Sequence, residues 1–341
     1  MAHPADDGFF LPPDWTPHSR CWMAWPCRAE AWGEHMDAAR DTYAEVANTI
    51  ARFEPVTMIT KPKNVAEASL QLEANVRNFS LPHDDSWLRD NGPTFVTNRA
   101  GQVAGVDWLW NAWGERYSDH DRDAAVAEAV LAHIAMRRYE APLVLEGGAI
   151  HGDGEGTLLA SEGSLLNPNR NSGKSRAEIE QILTASLGVR QVVWLGKGLL
   201  DDMSGGHVDN LACFLRPGVV LALTSSEATD GNYAALKDNV ERLRAVKDAA
   251  GRSLEIIEIE QPRARYTQDG RRLCLSYISM YLANGAAIIP AFEDPQDAKA
   301  SEIIARAFPD REVVQIPATE LAFGGGGIHS ITLGQPAGAP A

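Results

Sequence analysis

The sequence predicts an α/β fold of repeated units that close on one another as in a propeller, and three observations carry that reading. Short apolar runs with strand character alternate with amphipathic helical stretches along the whole chain. Runs joined by turn sequences such as Arg216-Pro217-Gly218 and Asn284-Gly285 place a hairpin inside each unit, which argues against an all-parallel, doubly wound sheet. The order strand, turn, strand, helix, strand recurs about every 60 residues in a chain of 341. Repeats that close on each other form one domain. No linker or low-complexity block divides residues 1–341, so a single domain is expected.

The first strand is expected over CWMAWP, 21–26, and the next helix over 34–53, with Ala39, Tyr43, Val46, Ala47 and Ile50 along one stripe. PVTMIT at 55–60 reads as a strand and 64–74 as a short helix; TFVTN with VAGVDW reads as a hairpin around Arg99-Ala100-Gly101. A helix at 122–137 leads to a strand, turn and strand over 143–161, then a helix at 175–187 and the strand QVVWL. Segment 207–224 repeats the hairpin before a helix at 231–250 and the strand LEIIEIE. Segment 273–292 repeats it once more before a helix at 295–308, the strand EVVQIP and a closing GGGGIHSITL.

Lys and Arg number 31 against 46 Asp and Glu, a formal charge of −15. A phosphate backbone needs a basic face, so no nucleic-acid partner is expected. An acidic surface attracts small cations instead. Cys21, Cys27, Cys213 and Cys274 are scattered without a CxxC pair, which argues against a disulfide framework and a four-cysteine zinc site. The start, MAHPADDGFFLPPDW, lacks the basic and apolar regions of a signal peptide, and no apolar run approaches the roughly 20 residues of a membrane helix. A cytoplasmic protein without membrane association is expected.

Polar residues cluster beside glycine at four places: DDSWLRDNGP at 84–93, LEGGAIH at 145–151, GGHVDN at 205–210 and GGGGIHS at 324–330. Glycines of this kind let backbone approach a ligand, and one such place per repeat could converge on a central site. On a strand, His207 and Asp209 would share a face, as an acid/base pair or as a structural hydrogen-bonded pair. Glu146 ends an apolar strand and needs a partner, with His207 one candidate and backbone N–H groups the other. Asp90 and Asp209 together could grip a flat guanidinium, whose donors match paired carboxylates. Trp87 could wall that cation, or simply belong to the core. The glycines 324–327 read either as a flexible loop or as one that brings backbone to substrate and presents Ser330. SDHDRD at 118–123 and HGDGEG at 151–156 are rich in metal-ligand types, but neither HExxH nor EF-hand spacing is present, so no metal is expected.

Taken together, these segments resemble the agmatine deiminases of the guanidine-modifying superfamily, which also holds arginine and bacterial peptidyl-arginine deiminases. The resemblance runs from LPPDWTPHSRCWMAWP at 11–26 nearly to the C-terminus. It includes DDSWLRDNGPTFV, WNAWGERY, LEGGAIHGDGEGTLLASE, NPNRN, GGHVDN, SYISMYLANGAAIIP and GGGGIHSIT. It implies a five-bladed α/β propeller, the pentein fold, and hydrolysis of agmatine to N-carbamoylputrescine and ammonia without metal or organic cofactor, by an enzyme that forms homodimers. By the same resemblance Asp90 and Asp209 hold the guanidinium, Glu146 supports the site, His207 is the general acid/base and Trp87 lines the substrate pocket.

One position departs from the pattern. The family carries its nucleophilic cysteine in the segment matching GGGGIHS, where this chain has Ser330. A guanidinium carbon is a poor electrophile, and a preformed thiolate suits it far better than a hydroxyl. Ser330 is read as a Cys→Ser replacement that leaves binding but almost no turnover, because every other site residue remains. The alternatives are a natural guanidine-binding protein without turnover, a deiminase of free or peptidyl arginine or another alkylguanidine, and a metal hydrolase built on His151, Asp153 and the 118–123 cluster. Which of Arg116, Arg170 and Lys174 faces the pocket is left open.

Overall fold

A computed structural model describes residues 2–341. Five separate sheets follow one another along the chain, one for each expected unit. Ala212–Arg216 and Val219–Thr224 pair antiparallel, the helix Tyr233–Ala245 crosses over, and Glu255–Glu260 pairs parallel, from Val219 opposite Glu255 to Thr224 opposite Glu260. Tyr281–Ala283, Ala286–Ala291 and Glu312–Pro317 repeat this plan around helix Gln296–Ala307. So do Ile150–Gly152, Thr157–Ser161 and Gln191–Leu195 around Arg176–Leu187. Thr94–Asn98, Gln102–Leu109 and Arg138–Val144 do the same around Val126–His133. In the last sheet His18–Ala24 pairs parallel with Val56–Thr60 past Met36–Ile50, but its hairpin partner is Leu333–Pro336, from the other end of the chain. That pairing closes the propeller.

The physical pattern is the same in each blade. The middle strand is a nearly continuous apolar run, as in Val219–Thr224, because both of its faces are covered. In four blades the third strand is an edge, as in Glu255–Glu260, where exposed Glu255 and Glu258 make it a poor template for pairing with another chain; in the remaining blade Val76–Ser80 pairs outside Val56–Thr60. A capping box between Ser175 and Glu178 starts the helix Arg176–Leu187, and Gly188 ends it at φ 63°. Met58, Leu221, Ile288 and Ile331 belong to one apolar core to which a fourth blade adds Leu159 and Val193. Val106, Leu158 and Trp194 form a second core between that blade and the blade of Gln102–Leu109. Among the described residues no helix is long and apolar enough to cross a membrane.

Several expectations need correction. The helix expected over 122–137 is two pieces, Asp121–Ala124 and Val126–His133. The strand expected to begin at Leu143 begins earlier, as Arg138–Val144, and pairs with Gln102–Leu109; its charged Arg138 and Glu140 face out while Tyr139, Ala141 and Leu143 are buried. Residues 207–210 are not a strand. Val208–Asn210 form a 3-10 turn just ahead of Ala212–Arg216. Short turns at Leu88–Asn91, Gly147–Ala149 and Ile328–Ile331 stand in the same place before the hairpins of other blades. These turns carry the polar residues singled out from the sequence.

Candidate active site

The four turns meet around Gly148. A Cβ at this position would come within 2.6 Å of His207 Nδ1 and 2.9 Å of both Asp90 Oδ1 and Asp209 Oδ2. Only bare backbone fits there, and its N–H donates to Asp90 Oδ1 at 3.0 Å. His207 and Asp209 reach this centre from a turn rather than from one strand face. Gly205 and Gly206, at φ 86° and 106°, swing the chain inward, and Ser204 Oγ accepts the His207 N–H at 3.1 Å.

The charges are buried and paired. His207 Nδ1 lies 3.6 Å from Asp90 Oδ1, and its Nε2 lies 3.6 Å from Glu146 Oε2. These are charge contacts rather than hydrogen bonds, and Nε2 has no hydrogen-bond partner among the described residues. Burial alone would pull the imidazole down, but Asp90 and Glu146 outweigh it and raise His207 to about 9. Glu146 accepts from Arg170 Nε at 2.9 Å and from Ser164 Oγ at 3.1 Å. Burial opposes its charge, yet His207 and Arg170 hold it down to about 2. Asp90 is raised to about 6, first by burial and then by neighbouring carboxylates, against the pull of His207. Asp209 moves the other way. Burial would raise it, but His329 Nδ1 at 2.9 Å from Oδ2 keeps it below the usual carboxylate range. Asp209 Oδ1 is buried without a hydrogen-bond partner among the described residues.

A pocket beside this cluster is lined by Trp87, Asp90, Trp113, His207, Asn210 and Ser330, among others. Trp87 is stacked on Trp32 at 5.3 Å, so one wall is a supported indole rather than a loose side chain. Glycines 324–327 are not a free loop. A Cβ at Gly326 would lie 2.4 Å from the Trp87 ring and 3.0 Å from Ser330 Oγ, and one at Gly327 would strike Ser279. The Gly327 N–H donates to Ser330 Oγ at 3.2 Å, a donor that would also favour a thiolate at this position. Cys21, Cys213 and Cys274 are buried, and burial pushes all three thiols up; Cys27 is pushed up to about 12. None is positioned or ionised as a nucleophile.

The stretches considered for metal have other partners. Asp123 accepts the N–H groups of Asp84 and Asp85, Asp119 pairs with Arg28, and Asp153 accepts the N–H groups of Glu155 and Thr157 in a turn. Among the described residues no three His, Cys, Asp or Glu side chains stand together as a metal shell. Of the three basic residues left open, Arg116 lines the pocket, Arg170 is buried on Glu146 and Lys174 is exposed.

Sequence reasoning missed four residues. Trp113 Nε1 donates to Asp90 Oδ2 at 2.9 Å, from a turn in which Ala112, Trp113, Gly114 and Glu115 all have positive φ. Arg170 holds Glu146, and His329 with Asp14 stands behind Asp209. Arg170 and Trp113 lie in NPNRN and WNAWGERY, and His329 directly precedes Ser330, so each was within a noted segment. Asp14 lies in the noted segment 11–26, but nothing local singles it out.

A family model described as Porphyromonas-type peptidyl-arginine deiminase matches residues 10–336. The agmatine deiminase of Pseudomonas putida is 42% identical over 357 aligned residues, covering 98% of this chain and 97% of that protein. Among solved structures, the agmatine deiminase of Enterococcus faecalis superposes with a TM-score of 0.95 at 32% identity, covering 99% of this chain and 98% of that one. A cysteine-to-serine form of the agmatine deiminase of C. jejuni with substrate bound superposes with a TM-score of 0.89 at 25% identity, covering 97% of each chain.

Proposed function

We propose that this chain, which belongs to the Porphyromonas-type peptidyl-arginine deiminase family, is built to hydrolyse the guanidine of agmatine to N-carbamoylputrescine and ammonia. In this reading the whole chain acts as one domain, in the cytoplasm and as a homodimer, and Ser330 occupies the place of the nucleophilic cysteine. Asp90 and Asp209 hold the planar cation, and Trp87 forms a wall. With cysteine at 330, the thiolate adds to the guanidinium carbon. The tetrahedral centre collapses as the C–N bond breaks, and His207 protonates the departing ammonia. An amidino-thioether remains on the enzyme. His207, now neutral, takes a proton from water as the water oxygen adds to the same carbon. The C–S bond then breaks to return the thiolate and release the ureido product. Glu146, held by Arg170, keeps His207 in place and stabilises its charged form. Aligning the two reactants on fixed carboxylates lowers the barrier by removing their orientational freedom. As sequenced, the hydroxyl of Ser330 lacks the ionised form and a free base, so the chain binds agmatine with almost no turnover.

The observation that carries this reading is the pair Asp90 and Asp209 around Gly148, with Asp209 Oδ1 a buried acceptor without a hydrogen-bond partner among the described residues. A guanidinium supplies donors of the right charge and plane. The test is Ser330→Cys, assayed for ureido product from agmatine and from arginine, with and without EDTA. EDTA-resistant conversion of agmatine, much faster than of arginine, is expected. Conversion of neither would overturn the catalytic assignment.

Arg116 favours a second reading. It lines the pocket, is exposed, and among the described residues has no carboxylate within 4.0 Å. A free cation there suits a substrate carboxylate, as in free arginine or a peptide C-terminal arginine, and would repel the distal ammonium of agmatine. Preference of the Ser330→Cys enzyme for arginine, abolished by Arg116→Ala, would select it.

A further inference from the structure

Behind Asp209 runs a chain of contacts, from buried His329 to partly exposed Asp14, that the reaction above does not use. His329 Nδ1 is 2.9 Å from Asp209 Oδ2, and its Nε2 is 3.0 Å from Asp14 Oδ2. Asp14 Oδ2 is also 3.5 Å from His151 Nε2. A second cavity, which shares no lining residue with the substrate pocket, opens beside Asp14, Arg89 and His151.

The hydrogen-bond directions follow from these partners. His151 Nδ1 accepts the Phe214 N–H at 3.2 Å, so a neutral His151 carries its proton on Nε2 and turns an N–H toward Asp14. Burial would raise Asp14, but Arg89 and the His151 contact outweigh it and hold its carboxyl well below the usual range, so Asp14 stands as a carboxylate. His329 then has an ionised carboxylate at each ring nitrogen, and carboxylates only accept. A neutral ring would set a lone pair against one of them at hydrogen-bond distance in the interior. Both nitrogens must donate.

We infer that His329 is a standing imidazolium that positions Asp209, locking its Oδ2 so that Oδ1 alone is presented to a guanidinium. The inference rests on the functional reading above for what Asp209 binds, but not for the state of the ring. It also accounts for the contrast between two equally buried carboxylates. Asp209 lies below the usual range, while Asp90, which lacks a hydrogen-bonded cation, lies above it. The charged groups facing His329 are Asp14 and Asp209, with Arg89 opposing its charge and His151 across Asp14. His329 is a positioning residue: it acts on the substrate through Asp209.

The test uses the chain as it stands, with Ser330. NMR of the histidine ring nitrogens at pH 7.5 without ligand should show His329 protonated on both nitrogens and His151 on Nε2 only. Asp14→Asn, at a partly exposed side chain, should lower agmatine affinity about tenfold, the equivalent of one pKa unit of charge interaction, while the melting temperature holds and Asp14→Glu restores binding. A neutral His329 would overturn the inference. So would an Asp14→Asn variant that binds agmatine as well as the unaltered chain, or one whose binding loss merely follows a fall in melting temperature. If the unaltered chain binds no agmatine, the functional reading and the positioning role fall together, while the ligand-free spectrum still decides the charge on the ring.

Discussion

Two histidines stand on either side of the carboxylate centre, and their difference separates holding a charge from moving a proton. His207 faces Asp90 and Glu146 at 3.6 Å each, and its Nε2 makes no hydrogen bond within the described residues. His329 faces Asp209 and Asp14 at 2.9 and 3.0 Å, and both ring nitrogens are engaged. Both are buried and both are raised above the ordinary histidine value. A ring bonded at both ends cannot release a proton without losing a partner. A ring held by charge alone, with one nitrogen free, can pass a proton to a leaving group and take one back. The fold places His329 next to Ser330 in sequence and His207 in a different blade.

The largest expected effect breaks the mobile side. In the Ser330→Cys background, His207→Ala should lower kcat by about 10²–10⁴-fold, the usual worth of general acid/base catalysis, while agmatine still binds. Stopped-flow ammonia release and calorimetry read the two quantities separately. Loss of binding with kcat intact would reverse the roles given to the two rings.

Next comes the support of the mobile side. Arg170→Met leaves Glu146 buried with its charge half compensated, and a broken buried pair of this kind costs about 3–5 kcal/mol. Urea unfolding should show that loss. Glu146, lowered to about 2, contributes stability that is full above its ordinary value and is lost as pH falls through about 2. In Arg170→Met the acid transition should therefore move to higher pH.

A smaller effect tests the meeting point. Gly148→Ala adds a methyl within 2.6 Å of His207 Nδ1 and 2.9 Å of two carboxylate oxygens, so about 1–3 kcal/mol of overpacking is expected, read as a lower melting temperature and weaker agmatine binding. The smallest is the pH dependence of the grip. Asp90 is raised to about 6, so its charge is present above that value and lost below it. Agmatine affinity should fall as pH drops through about 6, by at most tenfold per unit for one proton.

How much of this the sequence discloses also differs between the two sides. The repeat and the hairpins follow from apolar periodicity and turn residues, which are local. His207, Glu146, Asp90 and Asp209 stand out because a charged residue beside glycine at the end of an apolar run is locally odd. The argument that put His207 and Asp209 on one strand face failed, since the chain there is a 3-10 turn, yet the two side chains reach the same centre. His329 and Asp14 are 315 residues apart and meet only because the last turn seals the first blade. No window of sequence contains that contact. Trp113 was hidden for another reason: its turn runs through consecutive positive-φ residues, of which only Gly114 advertises the conformation.

Calorimetry of agmatine binding to the unaltered Ser330 chain, in two buffers of different ionisation enthalpy near neutral pH, tests the central claim most directly. A guanidinium entering between Asp90 and Asp209 competes with the proton that Asp90 takes up as pH falls toward 6, while His207 keeps the proton it later gives to ammonia. The account predicts binding accompanied by net proton release at pH 6, with affinity rising through about pH 6 and levelling above it. Absence of binding, or binding that takes up protons, would contradict it.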